Sequence, residues 1–454
     1  MKVAEQRVED PEYRVIVGLG ATGLSCARYL SRIGLPFAVV DSRAAPPGLR
    51  ELRAEMPEVQ FYGGTFPIEV MAGAAELVVS PGIRLDDPDL LEVSRRGVSL
   101  VGDIDLFMRE ARAPVIGITG SNGKSTVTEL VGQMAIDAGL DAGVGGNLGT
   151  PALDLLSVNR ELYVLELSSF QLERAGQLGL TVATVLNVSA DHLDRHGSMA
   201  NYRQAKHRIF EACETVVTNP DDAFTVPLKG PSTARVAWRM GVPGAGEFGL
   251  GVCGSEDYLM FAEQPLLPLQ DLGLVGFHNV ANVLAALALG HAAGLPLASM
   301  ITTVGHFRGL PHRSEQVAEL AGVRYINDSK GTNTGATEAA LRGLGGDRDV
   351  LLIAGGQGKG ADFTELQAAV AKHCKLVVAI GEDAAAIEQA LSGSALVVCA
   401  GSMEEAFAVA SGRAEHGDTV LLSPACASFD MFSGYVERGD VFRGLVQRRQ
   451  EGSL

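Results

Sequence analysis

The chain has 454 residues, 46% hydrophobic and 20% charged, a make-up that fits about three globular domains and excludes disorder at scale. A formal net charge of −17 and an isoelectric point near 5.0 argue against a broad nucleic-acid surface, since phosphate backbones recruit clustered Lys and Arg. The six cysteines (Cys26, Cys213, Cys253, Cys374, Cys399, Cys426) form no Cys-x-x-Cys pair and read as reduced core thiols of a cytoplasmic protein.

In chain order, residues 1–14 lack the apolar run of a signal peptide. Residues 13–17 then predict a strand leading into Gly18-Leu19-Gly20-Ala21-Thr22-Gly23 and a helix from Leu24 to Ile33. The next strand, from Phe37, ends at Asp41, 18 residues beyond Gly23, where a dinucleotide fold places the acid that holds a ribose. Read alone, this fingerprint fits an NAD-dependent oxidoreductase. The same glycines and helix N-terminus would equally hold the diphosphate of a nucleotide sugar. A third strand, residues 77–79, ends at Ser80-Pro81-Gly82, and this small doubly wound unit continues to about residue 102.

Val115-Ile116-Gly117-Ile118-Thr119 predicts a buried strand, Val127 onward a helix, and the turn Gly120-Ser121-Asn122-Gly123-Lys124-Ser125-Thr126 between them a phosphate cradle. Backbone N–H groups and the helix N-terminus attract an anion, Lys124 reaches the terminal phosphates and the Ser125 hydroxyl suits Mg²⁺. Strict P-loop spacing would need glycine where the chain has Ile118, so the loop is a shorter variant. Residues 162–167 read as a strand with one acid in an apolar run. A buried carboxylate is costly unless it is paired or binds metal, which makes Glu166 a Mg²⁺ ligand candidate or a salt-bridged core acid. The strand at 182–187 runs into a loop with Asp191, His192, Asp194 and His196; His192 and His196 have zinc-helix spacing, but Leu193 stands where a zinc hydrolase carries its base.

The helical stretch Tyr202 to Phe210 is basic, and on that pattern alone Lys206 is a solvated face residue. Asn279 and Asn282 share one face at the start of a long alanine-rich helix, suited to a flat polar group such as adenine or to capping. The apolar stretch 280–299 is broken by Asn282 and His291, so no membrane span is expected. After Gly309-Leu310-Pro311-His312-Arg313 the α/β alternation restarts. Strands near 323–326, 350–354, 376–380 and 420–422 lead, respectively, into Asp328-Ser329-Lys330, the glycine-rich turn around Lys359, Gly381, and the Ser423 to Ser428 loop. The fold class is therefore α/β in three domains: Rossmann-like 1–102, a central P-loop ATPase-like domain with a mostly parallel sheet over 103–309, and Rossmann-like 310–454.

The stretches TGSNGKST, LELSSFQLE, NVSADHLDRH, YRQAKHRIF, HNVANVLAAL, LPHR, NDSKGTN and LSPACASFDMF, in this order, resemble the Mur ligases over nearly the whole chain, most weakly at about 220–270. The resemblance implies an ATP-dependent ligase that adds D-glutamate to UDP-N-acetylmuramoyl-L-alanine through an acyl phosphate. It implies a place in peptidoglycan synthesis, and so in cell shape and division, for a cytoplasmic monomer. On this resemblance Ala21 and Thr22 lie at the diphosphate, Asp41, Ser42 and Arg43 near the uracil, and Gly82 and Asn147 along the sugar. ATP meets Gly120 to Thr126, Asn279, Asn282, Arg313 and Asp328. Ser125 and Glu166 hold one Mg²⁺, while His192 and Lys206, carried as a carbamate, hold a second. D-Glutamate meets Thr332, Lys359, Ser428, Phe429 and Tyr435, and Lys124 and Lys330 stabilise the charge that builds on oxygen. Two positions depart from the family pattern, with Tyr435 in place of phenylalanine and Gln357 in place of aspartate. Three rivals are a dehydrogenase, which leaves Lys124, Glu166 and His192 idle, a folylpolyglutamate synthetase, which lacks this N-terminal domain, and a non-catalytic scaffold that binds ATP.

Overall fold

The computed structural model describes residues 13–147, 149–227, 234–274 and 276–452. Its first sheet contains β1 (Arg14–Val17), β2 (Phe37–Asp41), β3 (Gln60–Gly63), β4 (Glu76–Val79) and β5 (Ser99–Val101), in the order β3-β2-β1-β4-β5. Every pairing is parallel. The order reverses at β1, so the crevice between the C-terminal ends of β1 and β4 is where such a sheet takes a ligand. The glycine fingerprint opens this crevice on one side and Ser80-Pro81-Gly82 on the other, with the Ser80 hydroxyl donating to the Gly18 carbonyl at 2.8 Å. Gly23, in the first turn of the helix Ala21–Arg32, lies so close to β1 that a Cβ there would be 2.0 Å from the Gly18 oxygen.

The central sheet is wholly parallel, in the order β11-β10-β9-β6-β8-β7. It comprises β6 (Val115–Thr119), β7 (Ala142–Gly146), β8 (Leu162–Glu166), β9 (Val182–Val185), β10 (Thr215–Thr218) and β11 (Ala234–Ala237). The strand that feeds the phosphate loop thus lies between the strand that ends in Glu166 and the one that runs out toward His192. Helices Lys124–Asp137 and Phe277–Ala292 pack beside it through Val127, Leu130, Met134, Val283, Leu284 and Leu287, all fully buried. Each such leucine contributes about 1.5–3 kcal/mol relative to exposure. The first part of the stretch 280–299 is therefore buried core: its helix stops at Ala292, and no helix among the described residues is long and apolar enough to cross a membrane.

An antiparallel meander follows, β12 (Phe248–Cys253), β13 (Glu256–Phe261) and β14 (Gln264–Pro268), which the sequence reading did not anticipate. The last sheet runs β15-β16-β20-β17-β18-β19. Its members are β15 (Glu315–Leu320), β16 (Val323–Asn327), β17 (Val350–Gly355), β18 (Cys374–Ile380), β19 (Leu396–Cys399) and β20 (Thr419–Leu422). All neighbours are parallel except β15, an antiparallel edge strand. The neighbouring strands β16, β20 and β17 end in the loops carrying Lys330, Ser428 and Lys359. One expectation needs correction. Cys26, Cys213, Cys374 and Cys426 are buried thiols, but Cys253 is half-buried and Cys399 is exposed, each at the end of an edge strand.

Candidate active site

The loop after β6 is fixed before any ligand arrives. The Asn122 N–H donates to Asn187 Oδ1 at 2.8 Å, Asn187 Nδ2 returns a bond to the Asn122 carbonyl at 3.0 Å, and Ser121 N–H meets the Asn187 carbonyl at 3.0 Å. Gly123 adopts φ +81°, and a Cβ there would lie 2.3 Å from Asn282 Oδ1, so the loop presses directly on the helix Phe277–Ala292. Asn282 in turn donates to Asn279 Oδ1 at 3.0 Å.

The two neighbouring strands and the last sheet close around this loop in a cavity of about 560 Å³. Ser121 through Thr126, Asn147, Glu166, His192 and Lys206 line it from the central part. Asn279, Asn282, Arg313, Asp328, Lys330 and Thr332 complete it. Most residues expected around ATP and Mg²⁺ therefore meet in one place. The Ser125 hydroxyl donates to Glu166 Oε2 at 2.6 Å, Asn147 Nδ2 donates to Glu166 Oε1 at 2.7 Å, and the Arg313 guanidinium donates to Ser125 Oγ. Asn333 links the last domain to the same loops, through Asn122 at 3.4 Å and Asp191 at 3.2 Å.

The lysines sit deeper than the sequence pattern suggests. Lys124 Nζ donates to the carbonyls of Gly120 and Ser121 at 2.8 and 2.9 Å, and Lys206 Nζ donates to the same Gly120 carbonyl at 2.8 Å. Lys206 is only 1% exposed and lies over the Tyr202 ring at 4.5 Å, so the solvated-face reading of its helix is wrong for this residue. Burial pulls the Lys206 pKa well below the ordinary 10.5, and Lys124 adds to the effect. Burial also lowers Lys124, with Glu166 opposing. Lys330 falls to about 8, through burial first and then the Arg313 and Lys124 charges, and its ammonium lies 4.3 Å from the centre of the Tyr435 ring. The buried Asp328 carboxyl rises to about 6 against the hydrogen bonds it accepts from Ser423 and Ser314. His192, in a left-handed backbone conformation at φ +52°, keeps its side chain 44% exposed; the packing on its covered side pulls it below its usual 6.5, with Asp191 opposing.

Residues expected around the nucleotide sugar lie at the ends of β1, β2 and β4: Ala21 and Thr22 in the first helical turn, exposed Ser42 and Arg43 after β2, and Gly82 after β4. Asn147 alone of that group lines the main cavity. Asp41 is fully buried and both of its oxygens are taken. Oδ2 accepts from Leu19 N–H and Arg43 Nη2, each at 2.7 Å, and Oδ1 accepts from Arg43 N–H and Nε, each at 2.9 Å. A ribose diol would have to displace Arg43. Of the D-glutamate group, Thr332 lines the cavity and Tyr435 borders Lys330, while exposed Lys359, buried Ser428 and exposed Phe429 stand on the adjacent loops.

Sequence reasoning missed Asn187, Tyr202 and Asn333. Each stands inside a stretch already rich in polar residues, but no local signal separated the loop-fixing residue from its neighbours.

A phosphate loop served by a carboxylate from one neighbouring strand and a histidine from the other, and covered by a second α/β domain, defines a nucleotide-binding α/β protein of the P-loop type. Family models match along the chain: Mur ligase MurD-like, N-terminal domain, over residues 12–102; Mur ligase middle domain over 118–290; and Mur ligase, glutamate ligase domain, over 312–426. The chain belongs to the Mur ligase family. The UDP-N-acetylmuramoylalanine--D-glutamate ligase of Pseudomonas aeruginosa is 50% identical over 442 residues, covering 97% of this chain and 99% of that protein. The enzyme of the same name from Marinobacter nauticus is 51% identical over 434 residues, 95% and 97% of the two chains. Among solved structures, the UDP-N-acetylmuramate-alanine ligase MurC of Thermotoga maritima shares the fold with a TM-score of 0.58 at 20% identity, over 97% of this chain and 99% of that one. A pseudomurein peptide ligase type C from Methanothermus fervidus does so with a TM-score of 0.58 at 17% identity, over 96% and 100%.

Proposed function

We propose that this protein joins the alanyl carboxylate of UDP-N-acetylmuramoylalanine to the amino group of D-glutamate with conversion of ATP to ADP and phosphate, a step of peptidoglycan precursor synthesis. The observation that carries the reading is the near-50% identity, along almost the entire chain, to ligases of that name. The site chemistry supports it. Amide formation from a carboxylate requires a better leaving group, which transfer of the γ-phosphoryl group supplies as an acyl phosphate; the amine then displaces phosphate.

In this reading Lys124 leaves the carbonyls of Gly120 and Ser121 for the β- and γ-phosphates, and the loop N–H groups bind the remaining oxygens. Asn279, Asn282, Arg313 and Asp328 hold the adenosine side, and Lys330 faces the transferring group. Ser125 Oγ and Glu166 Oε2, 2.6 Å apart at the phosphate end, are an oxygen donor pair of the kind that would hold a Mg²⁺ ion. Such an ion would neutralise phosphate charge when bound. Lys206 Nζ donates to the Gly120 carbonyl; protonated it has no lone pair to ligate, and even as a neutral amine it is a poor ligand for Mg²⁺, which prefers oxygen. Its assignment with His192 to a second Mg²⁺ requires the carbamate formed when the neutral amine takes up CO₂ and releases a proton.

The first domain, over 1–102, would hold the UDP moiety with Ala21, Thr22, Asp41, Ser42, Arg43 and Gly82, Asp41 acting through the Arg43 it fixes, and Asn147 would meet the sugar from the central domain; Thr332, Lys359, Ser428, Phe429 and Tyr435 would hold D-glutamate. The reading takes the molecule to be a cytoplasmic monomer divided at residues 102 and 309. The dehydrogenase alternative loses its main support because the Asp41 carboxylate is committed to Leu19 and Arg43. Phosphate release from ATP, measured with UDP-N-acetylmuramoylalanine and a panel of amino acids, tests the proposal. Release should require the nucleotide sugar and favour D-glutamate; release that ignores either one refutes it.

A further inference from the structure

The carbonyl of Ile83 accepts two guanidinium groups from another domain. Arg174 Nη2 and Arg195 Nη2 each donate to it at 2.8 Å. A carbonyl has two lone pairs, and here both are filled by charged donors, which form stronger bonds than neutral ones. Neither arginine is there by default: Arg174 is 6% exposed, and the Arg195 side chain is 12% exposed, with only a 3.5 Å contact to Glu173 as an ion pair.

Ile83 and both arginines are placed where position matters. Ile83 follows Ser80-Pro81-Gly82, its N–H closes that turn on the Ser80 carbonyl at 3.0 Å, and its side chain covers the glycine fingerprint, where a Cβ on Gly18 would meet Ile83 Cγ1 at 3.0 Å. It therefore joins both sides of the crevice between β1 and β4. Arg174 ends the helix Ser169–Arg174 that follows the Glu166 strand end, and Arg195 lies in the one-turn helix Leu193–His196 that His192 opens. Arg195 also lies 5.1 Å over the Phe170 ring, whose other neighbours are His192 at 4.9 Å and His196 at 5.5 Å.

We propose that Arg174 and Arg195, gripping the Ile83 carbonyl, are positioning residues that set the nucleotide-sugar crevice in register with the phosphoryl-transfer loops, so that losing the Arg195 arm impairs use of the nucleotide sugar and leaves use of ATP intact. The inference rests on the functional reading above. A shift of about 1 Å between reacting groups is enough to cost a large factor in rate, whereas the residues assigned to ATP itself, Gly120 to Thr126, Asn279, Asn282, Arg313 and Asp328, stand on elements that carry neither arginine.

The test uses the full chain with Arg195→Met, which removes the donors, and Arg195→Lys, which keeps one. Arg195→Met should lower kcat/KM for UDP-N-acetylmuramoylalanine about tenfold or more, the loss expected for one charged hydrogen bond, while KM for ATP stays within about twofold. Arg195→Lys should recover most of the loss, and amide hydrogen exchange over residues 82–84 should quicken in Arg195→Met alone. The inference is overturned if Arg195→Met keeps kcat/KM for the nucleotide sugar within about twofold, or if both substrates suffer equally without rescue by lysine. If the wild type fails to turn over these substrates, the functional reading falls; exchange at 82–84 then decides the clamp alone, unchanged exchange overturning it and faster exchange upholding it.

Discussion

Asp41→Asn is the sharpest test of how the first domain works. The carboxylate is buried and accepts four hydrogen bonds, two on each oxygen. An amide can accept on one side only, so whichever way the substituted side chain turns, two donors face an NH₂ group. If Leu19 N–H is one of them, a buried donor is orphaned in the glycine loop; if not, the Arg43 backbone N–H is. A lost bond to a charged group costs about 1.5–3 kcal/mol and an unsatisfied buried donor about 1–3. The Arg43 side chain is 53% exposed and rehydrates, so its share is discounted, and a net cost of about 2–4 kcal/mol remains. The cost falls on the loop of Gly18 to Gly23, so affinity for the UDP substrate should drop at least about tenfold while ATP affinity stays unchanged. Titration calorimetry with each ligand measures both. The pH dependence has a definite sign. Burial would raise the Asp41 pKa, but the Arg43 and Leu19 hydrogen bonds outweigh it and hold the folded value below the ordinary 3.8. Its stabilisation is therefore complete above the unfolded value near 3.8 and is lost as pH falls through the lower folded one, an acid limb that Asp41→Asn should lack. Unchanged UDP-substrate affinity in the variant, or micromolar NADH binding to the wild type that UDP does not displace, refutes the reasoning.

Lys124→Ala should reduce ligation about 30- to 1000-fold, equivalent to ~2–4 kcal/mol of lost stabilisation of the transferring group, and leave UDP-substrate binding intact; single-turnover rates and calorimetry check the two halves. Lys206→Arg should be inactive although the charge is kept, and a ¹³C-bicarbonate NMR signal present in wild type should vanish in it; because arginine can overfill the site, Lys206→Met is the control, and full activity in either variant sinks the carbamate. With Lys330 at about 8, kcat should fall as pH rises through that value and the ammonium among Arg313, Lys124, Glu166 and Asp191 loses its charge; a flat profile from pH 7 to about 9.5 counts against its role in phosphoryl transfer.

The parallel strands near the motifs were legible in the sequence because they are short apolar runs ending in polar loops, and β6, β8 and β9 lie close to where the pattern puts them. The meander from Phe248 to Pro268 was not, since Gly249 and Gly251 thin its apolar alternation and its pairing is set by hairpins rather than by composition. The cavity could be listed residue by residue but not assembled, because sequence does not say that β6 lies between β8 and β9. Lys206 shows the limit best: its helix also carries Arg203 and His207, and only the covering Tyr202 ring and Gly120 carbonyl, 86 positions away, reveal that it points inward.

Three donors at the phosphate end of the cavity have protein partners: Lys124 on two carbonyls, Ser125 on Glu166, Arg313 on Ser125. A ligand must therefore break several internal bonds at once and offset them with its own oxygens. Inorganic phosphate or a nucleoside monophosphate carries its phosphate oxygens on a single centre, whereas a triphosphate spreads them along a chain that can meet several donors at once. The same arrangement sets a threshold that favours long polyanions over short ones, a filter by chain length that needs no steric gate.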